Sequence, residues 1–142
     1  MITIGRHLLM DLYGCDAATL AAVEPVRRCM LTAAQLINAT IVGEIFHQFS
    51  PDGVTGVVAI AESHLSIHTW PESRYASLDI FTCGTLDPTP GLHCVADRLQ
   101  AKEFRLLEII RGAPDDLAAH SERYCGPTMA ALATLRSGAG IE

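Results

Sequence analysis

The chain has 142 residues, 49% of them hydrophobic and 18% charged, with a formal charge of −6; this suits one globular domain with one core and excludes a disordered chain. No apolar run approaches the roughly 18 residues that cross a bilayer, and no Lys/Arg cluster offers an electrostatic footprint for nucleic acid. The five cysteines are scattered and form no C-x-x-C pair, which argues against a disulfide framework or structural zinc and for reduced thiols in a cytoplasm.

Residues 2–13 alternate, with Ile2, Ile4, Leu8, Met10 and Leu12 on one side, and predict a half-buried strand. The same opening stretch lacks a small-residue cleavage site after an apolar core, so no signal peptide is expected. Asp16 can cap the next element, Pro25 suits the first turn of a main helix, and Val26, Cys29, Met30, Ala33 and Ile37 recur at helical spacing to about Asn38. Residues 40–49 read as a second strand, Ser50-Pro51-Asp52-Gly53 as a turn, and 54–61 as a third, central strand. A fourth strand over 64–70 comes next, almost without a connector. After a turn at Pro71-Glu72-Ser73-Arg74 there is a fifth strand over 75–83. Asp87-Pro88 starts a second helix with Leu92, Val95 and Leu99 on one face, and 103–110 is a sixth strand.

The order β-α-β-β-β-β-α-β predicts an α+β fold: a two-layer sandwich whose mainly antiparallel sheet carries two helices on one face. Residues 1–112 are expected to make one α+β domain. The tail, 113–142, is rich in Ala and Gly and offers only a short helix near 128–136. The third and fourth strands meet at Ala61-Glu62-Ser63 without a Gly, Pro or Asn, so the chain needs an irregular bend there that could strain a peptide bond.

The polar residues concentrate between Glu62 and Cys83. A strand carrying Ser63, His64, Ser66, His68 and Trp70 is too polar for a plain core strand. Taken singly, each has an ordinary reading: Ser63 as a turn hydroxyl, Cys83 as a small buried hydrophobe, Asp79 as a solvated or hydrogen-bonded strand residue. His64 and His68 share a strand face but stand about 13 Å apart along it, too far for one ion. Ser63, Cys83 and His68 could form a nucleophile–base set, although no G-x-S-x-G elbow surrounds Ser63.

The combined string is more specific. ESHLSIHTWPE followed by LDIFTCG closely resembles the small prokaryotic S-adenosylmethionine decarboxylases, a pyruvoyl-dependent family. GRHLLMDLYGCD, ATIVGEIFHQFSPDGVTGVVAIAESH and the RG after the sixth strand extend the resemblance over residues 5 to about 112. It implies that the Ser63 hydroxyl attacks the Glu62 carbonyl and the chain self-cleaves into 1–62 and 63–142, leaving a pyruvoyl group at residue 63. His68 matches the processing base. Thr55 matches a hydroxyl that holds the Glu62 carbonyl or the cyclic intermediate; serine is usual there, and threonine keeps the donor.

The same resemblance implies decarboxylation of S-adenosyl-L-methionine through a Schiff base to the pyruvoyl, with Cys83 as proton donor to the substrate α-carbon, yielding the aminopropyl donor for spermidine. It implies neither metal nor pyridoxal phosphate, and a cytoplasmic homodimer whose active sites draw on both protomers. Phe49 and Trp70 could pack on adenine or the sulfonium, and Glu72 could bind ribose hydroxyls; their plainer readings are core packing and a turn carboxylate. Three alternatives stay open: the same chemistry on L-ornithine or L-arginine, an unprocessed non-enzymatic paralogue, and a zinc hydrolase using His64 and His68.

Overall fold

The computed structural model describes residues 5–112 and 121–127. The elements are β1 (Gly5–Tyr13), α1 (Ala17–Ala21), α2 (Val23–Leu36), β2 (Ile41–Gln48), β3 (Val54–Ile60) and β4 (Ser63–Trp70), then a 3₁₀ turn at Pro71–Ser73, β5 (Tyr75–Cys83), α3 (Thr89–Arg98), β6 (Glu103–Arg111) and β7 (Ser121–Pro127). The strands form one seven-stranded sheet in the order β2-β3-β4-β5-β1-β6-β7, and every pairing is antiparallel. The expected α+β sandwich is present. Three additions extend it: the short α1, the 3₁₀ turn and the edge strand β7. The helix expected near 128–136 lies outside the described residues, as do Ile2 and Ile4.

Period-two alternation decides which face each side chain takes. On one face Leu8, Met10, Leu12, Val58, Leu65, Ile67, Ala76, Leu78, Ile80, Phe104 and Leu106 are buried. The helices close that face: α2 through Val26, Cys29, Met30 and Ala33, and α3 through Leu92, Val95 and Ala96. Full burial of each large apolar side chain contributes about 1.5–3 kcal/mol. Asp16 caps α1, its carboxylate accepting from the Thr19 N–H at 3.0 Å. Gly56 lies under the ring of Phe46, where a Cβ would collide with the aromatic carbons.

Among the described residues, no helix covers the opposite face. Its cross-strand rows run through His64, Phe81 and His7; through Val57, Ser66, Asp79, Leu9 and Leu107; and through Thr55, His68, Ser77, Asp11 and Arg105. Polar side chains dominate these rows, although Ile45 and Val57, paired across β2 and β3, are exposed here. A broad concavity of about 840 Å³ lies over the middle of this face, lined by Leu9, Thr55, Ser66, His68, Asp79 and Arg105 among others. Among the described residues, no helix is long and apolar enough to cross a membrane.

Candidate active site

The β3–β4 hairpin turns on two residues, Ala61 and Glu62, because Ile60 pairs with Ser63. Tight two-residue loops ordinarily place a positive φ within the loop, on Gly or Asn. Here the positive φ falls one residue later, on Ser63, at 145°. The other non-glycine residues with positive φ among the described residues, Asn38, Arg74 and Gln100, lie between 50° and 59°, in the ordinary left-handed well. Ser63 stands far beyond that well, in a region that only glycine enters freely, at a cost of about 1–3 kcal/mol. The irregular bend expected at Glu62-Ser63 is therefore a strained residue at the bond in question.

Neighbouring strands hold the strained bond. The Glu62 carbonyl accepts the Cys83 backbone N–H at 3.0 Å, from β5. The Glu62 carboxylate accepts the Thr40 N–H with its two oxygens at 3.0 and 3.1 Å, and the Ala61 N–H donates to the Thr40 carbonyl at 2.8 Å. One hydrogen bond thus polarises the acyl carbon, while the others pin the turn to the chain entering β2.

Beside Ser63 a polar cluster crosses three strands. The Ser63 hydroxyl lies 3.3 Å from His64 Nδ1, and His64 Nε2 lies 2.8 Å from Asp79 Oδ2. His7 Nε2 meets the same carboxylate oxygen at 2.7 Å, and the Ser66 hydroxyl donates to Asp79 Oδ1. Burial alone would raise the Asp79 pKa; the hydrogen bonds from Ser66, His7 and His64 outweigh it and hold the carboxyl below its ordinary range. The Phe81 ring packs against both imidazoles, with Arg111 over its face at 4.5 Å. The ligand atoms of His7, His64 and Asp79 lie within 4.8 Å of one another, so the trio within reach of one ion differs from the His64–His68 pair considered from sequence.

A second cluster occupies the far end of the open face. Thr55 Oγ1 and His68 Nδ1 are hydrogen-bonded across β3 and β4. The His68 ring sits 5.4 Å from Phe49 and 4.1 Å from Trp70, and Trp70 stacks on Tyr75 at 5.0 Å. Tyr75 donates to Asp11 at 2.6 Å, and burial, with that bond, pushes its pKa up to about 12. Glu72 is exposed in the 3₁₀ turn after Trp70.

The structure thus sorts the residues singled out from sequence into two groups. Glu62, Ser63 and Cys83 gather at one end; Thr55, His68, Phe49 and Trp70 gather at the other. Ser63 and His68 lie on one strand, five residues apart, a separation of about 16 Å. Within one chain, the His68 imidazole does not reach Ser63.

The thiols divide equally clearly. Burial pushes Cys15 up to about 11 and Cys29 up to about 12, and raises Cys94 as well, which disfavours their thiolates. Cys83 and Cys125 are the exposed thiols among the described residues. Sequence reasoning missed His7. Its only signal was alternation: an imidazole facing away from Leu8, Met10 and Leu12 in mid-strand.

A two-layer α+β sandwich with a strained, braced Glu62–Ser63 turn defines the class, and comparison with known proteins identifies the family. A sequence model described as S-adenosylmethionine decarboxylase matches residues 6–112. An S-adenosylmethionine decarboxylase proenzyme of Geobacillus sp. (strain WCH70) is 46% identical over 112 residues, covering 79% of this chain and 90% of that protein. A proenzyme of the same name from Thermococcus onnurineus is 43% identical, covering 82% and 83%. The crystal structure of the adenosylmethionine decarboxylase from Aquifex aeolicus superposes with a TM-score of 0.75 at 37% identity, covering 82% of this chain and 97% of that one. A Trypanosoma brucei AdoMetDC structure, at 17% identity and a TM-score of 0.55, covers 96% of this chain and 52% of that one and shares the fold alone. The chain belongs to the S-adenosylmethionine decarboxylase family.

Proposed function

We propose that this chain is a proenzyme that cleaves itself between Glu62 and Ser63, converts Ser63 to a pyruvoyl group, and then decarboxylates S-adenosyl-L-methionine to the aminopropyl donor used in spermidine biosynthesis. The observation that carries this reading is Ser63 itself: a serine with φ 145° whose preceding carbonyl is held by a backbone donor. Strain in the intact bond favours leaving it. The Cys83 N–H is placed to stabilise negative charge as the Glu62 carbonyl becomes tetrahedral.

The residues present fit a pyruvoyl at position 63. It would stand at the new amino end of β4, on a half-buried segment beside the exposed Cys83 thiol. A pyruvoyl ketone there supplies an electron sink for loss of carbon dioxide. Cys83 gives a proton to the substrate α-carbon. Phe49 and Trp70 offer aromatic faces to adenine or the sulfonium, worth about 0.5–2 kcal/mol for a cation, and Glu72 offers a carboxylate to the ribose.

The separation of the two clusters supports a homodimer. His68 serves as processing base and Thr55 as the hydroxyl donor only if a second protomer brings its own pair to the first protomer's Ser63. Two open faces laid together with strands reversed would do this, and would cover the exposed Ile45 and Val57. A cytoplasmic setting accords with five scattered cysteines that form no C-x-x-C pair.

The test is a denaturing gel joined to an assay of carbon dioxide release from S-adenosylmethionine, L-ornithine and L-arginine. Two fragments and turnover of S-adenosylmethionine are expected. Turnover of ornithine or arginine alone would overturn the substrate, and a single uncleaved band would overturn the processing.

A further inference from the structure

Among the described residues, the base in contact with the Ser63 hydroxyl is its sequence neighbour. On a regular strand, residues 63 and 64 would face opposite sides of the sheet. With φ at 145° Ser63 is not regular, and its hydroxyl meets His64 Nδ1 at 3.3 Å. His64 Nε2 lies 2.8 Å from Asp79 Oδ2, and an ionised carboxylate only accepts. Nε2 therefore carries a hydrogen, and in the neutral imidazole this leaves the Nδ1 lone pair toward Ser63. Asp79 in turn is fixed by Ser66 on Oδ1 and by His7 on Oδ2.

We propose that Ser63, His64 and Asp79 form a catalytic relay for the first step of self-cleavage, with His64 as the base that activates the hydroxyl and Asp79 as the positioning residue that sets its tautomer. The proposal rests on the self-cleavage reading above and assigns a step that His68, about 16 Å away along β4, does not perform within its own chain.

The step balances. His64 Nδ1 takes the Ser63 hydroxyl proton as Oγ bonds to the Glu62 carbonyl carbon. The carbonyl oxygen gains charge against the Cys83 N–H. The Glu62–Ser63 C–N bond then breaks, the carbonyl re-forms as an ester, and the proton held by His64 passes to the departing Ser63 nitrogen. No oxidant or cofactor enters. Asp79 stabilises the imidazolium while the proton is held, as the carboxylate of a Ser-His-Asp triad does. The 3.3 Å contact is long for a hydrogen bond, as such contacts commonly are before the reacting groups close.

The experiment uses the full chain, made by cell-free synthesis so that cleavage is followed from time zero on a denaturing gel, with and without hydroxylamine, which cuts an ester but leaves an amide. The variants are His64→Gln, His64→Ala and Asp79→Asn. Glutamine can still reach Asp79 with an N–H but offers no base to Ser63. His64→Gln is expected to slow cleavage about 100-fold or more, and hydroxylamine should release no fragments from it. Added imidazole should restore cleavage to His64→Ala, which a purely structural role would not allow. Asp79→Asn presents a mixed donor and acceptor to Nε2, loosens the tautomer, and should slow ester formation about tenfold or more.

Cleavage of His64→Gln at the wild-type rate, or hydroxylamine fragments from it at the wild-type rate, would overturn the relay. Failure of imidazole to restore a His64→Ala chain whose unfolding matches wild type would do the same. If His64→Gln fails to fold, Asp79→Asn decides: wild-type ester formation overturns the proposal and slowed formation supports it. A wild-type chain that never cleaves would instead overturn the self-cleavage reading, so the two failures are distinct.

Discussion

The backbone N–H of Cys83 donates to the carbonyl of Glu62 at 3.0 Å, which ties the acyl group of the proposed cleavage to the residue proposed as proton donor in turnover. The two contributions use different atoms. Cys83→Ala keeps the N–H and loses the thiol, so the chain should still cleave while turnover of S-adenosylmethionine falls sharply. A gel and a carbon dioxide assay on one preparation measure both. Loss of cleavage in this variant would show that the thiol, rather than the backbone, serves the first step.

Ser63 and His68 sit at opposite ends of β4, and this predicts complementation. Ser63→Ala and His68→Ala chains should each remain whole when expressed alone. Expressed together, the His68→Ala chain should cleave, because its intact Ser63 meets the His68 of the other protomer. A gel with differently tagged chains reads this directly. Cleavage of His68→Ala alone would remove His68 from processing.

Cleavage should not separate the fragments. β1 lies between β5 and β6, so a strand of the upstream fragment is inserted between two strands of the downstream one, and β3 pairs with β4 across the cut. Residues 1–62 and 63–142 should co-elute on size exclusion in native buffer and part only in denaturant.

Asp79 is held below the ordinary carboxylate range: burial opposes the ionised form, and hydrogen bonds from Ser66, His7 and His64 more than compensate. A carboxyl with a lowered folded pKa stabilises the fold above its unfolded value, about 3.9, and that contribution fades as the pH falls through the folded value. Asp79→Asn should therefore be less stable than wild type at neutral pH, with the difference shrinking below about pH 4. Urea unfolding of both chains across that range checks it, using Ser63→Ala backgrounds so that both stay whole.

Much of the sheet was legible because alternation is a local signal. Leu8, Met10 and Leu12 declared one face of β1, and the polar run from His64 to Trp70 declared the open face of β4. β7 was not legible, since SERYCGP has little strand propensity and ends in Gly-Pro; it forms by pairing with β6. α1 is five residues long and mostly alanine, too short to show a helical period.

In the candidate site, the irregular bend at Glu62-Ser63 was legible through the missing turn residues, while Cys83 was singled out by motif alone. The link from His64 to Asp79 and His7 was not, because it depends on the register of β4, β5 and β1, and register is a property of the assembled sheet. The division between Ser63 and His68 became measurable only once both were placed on one strand.

In the proposed maturation the Glu62–Ser63 bond breaks and the Ser63 α-carbon becomes a ketone. Intact-mass spectrometry of the purified protein tests it most directly. A downstream fragment starting at residue 63 is expected, with no free amine and lighter by one ammonia than a serine-started peptide. An unbroken chain, or a fragment that begins with an ordinary serine amine, would contradict it.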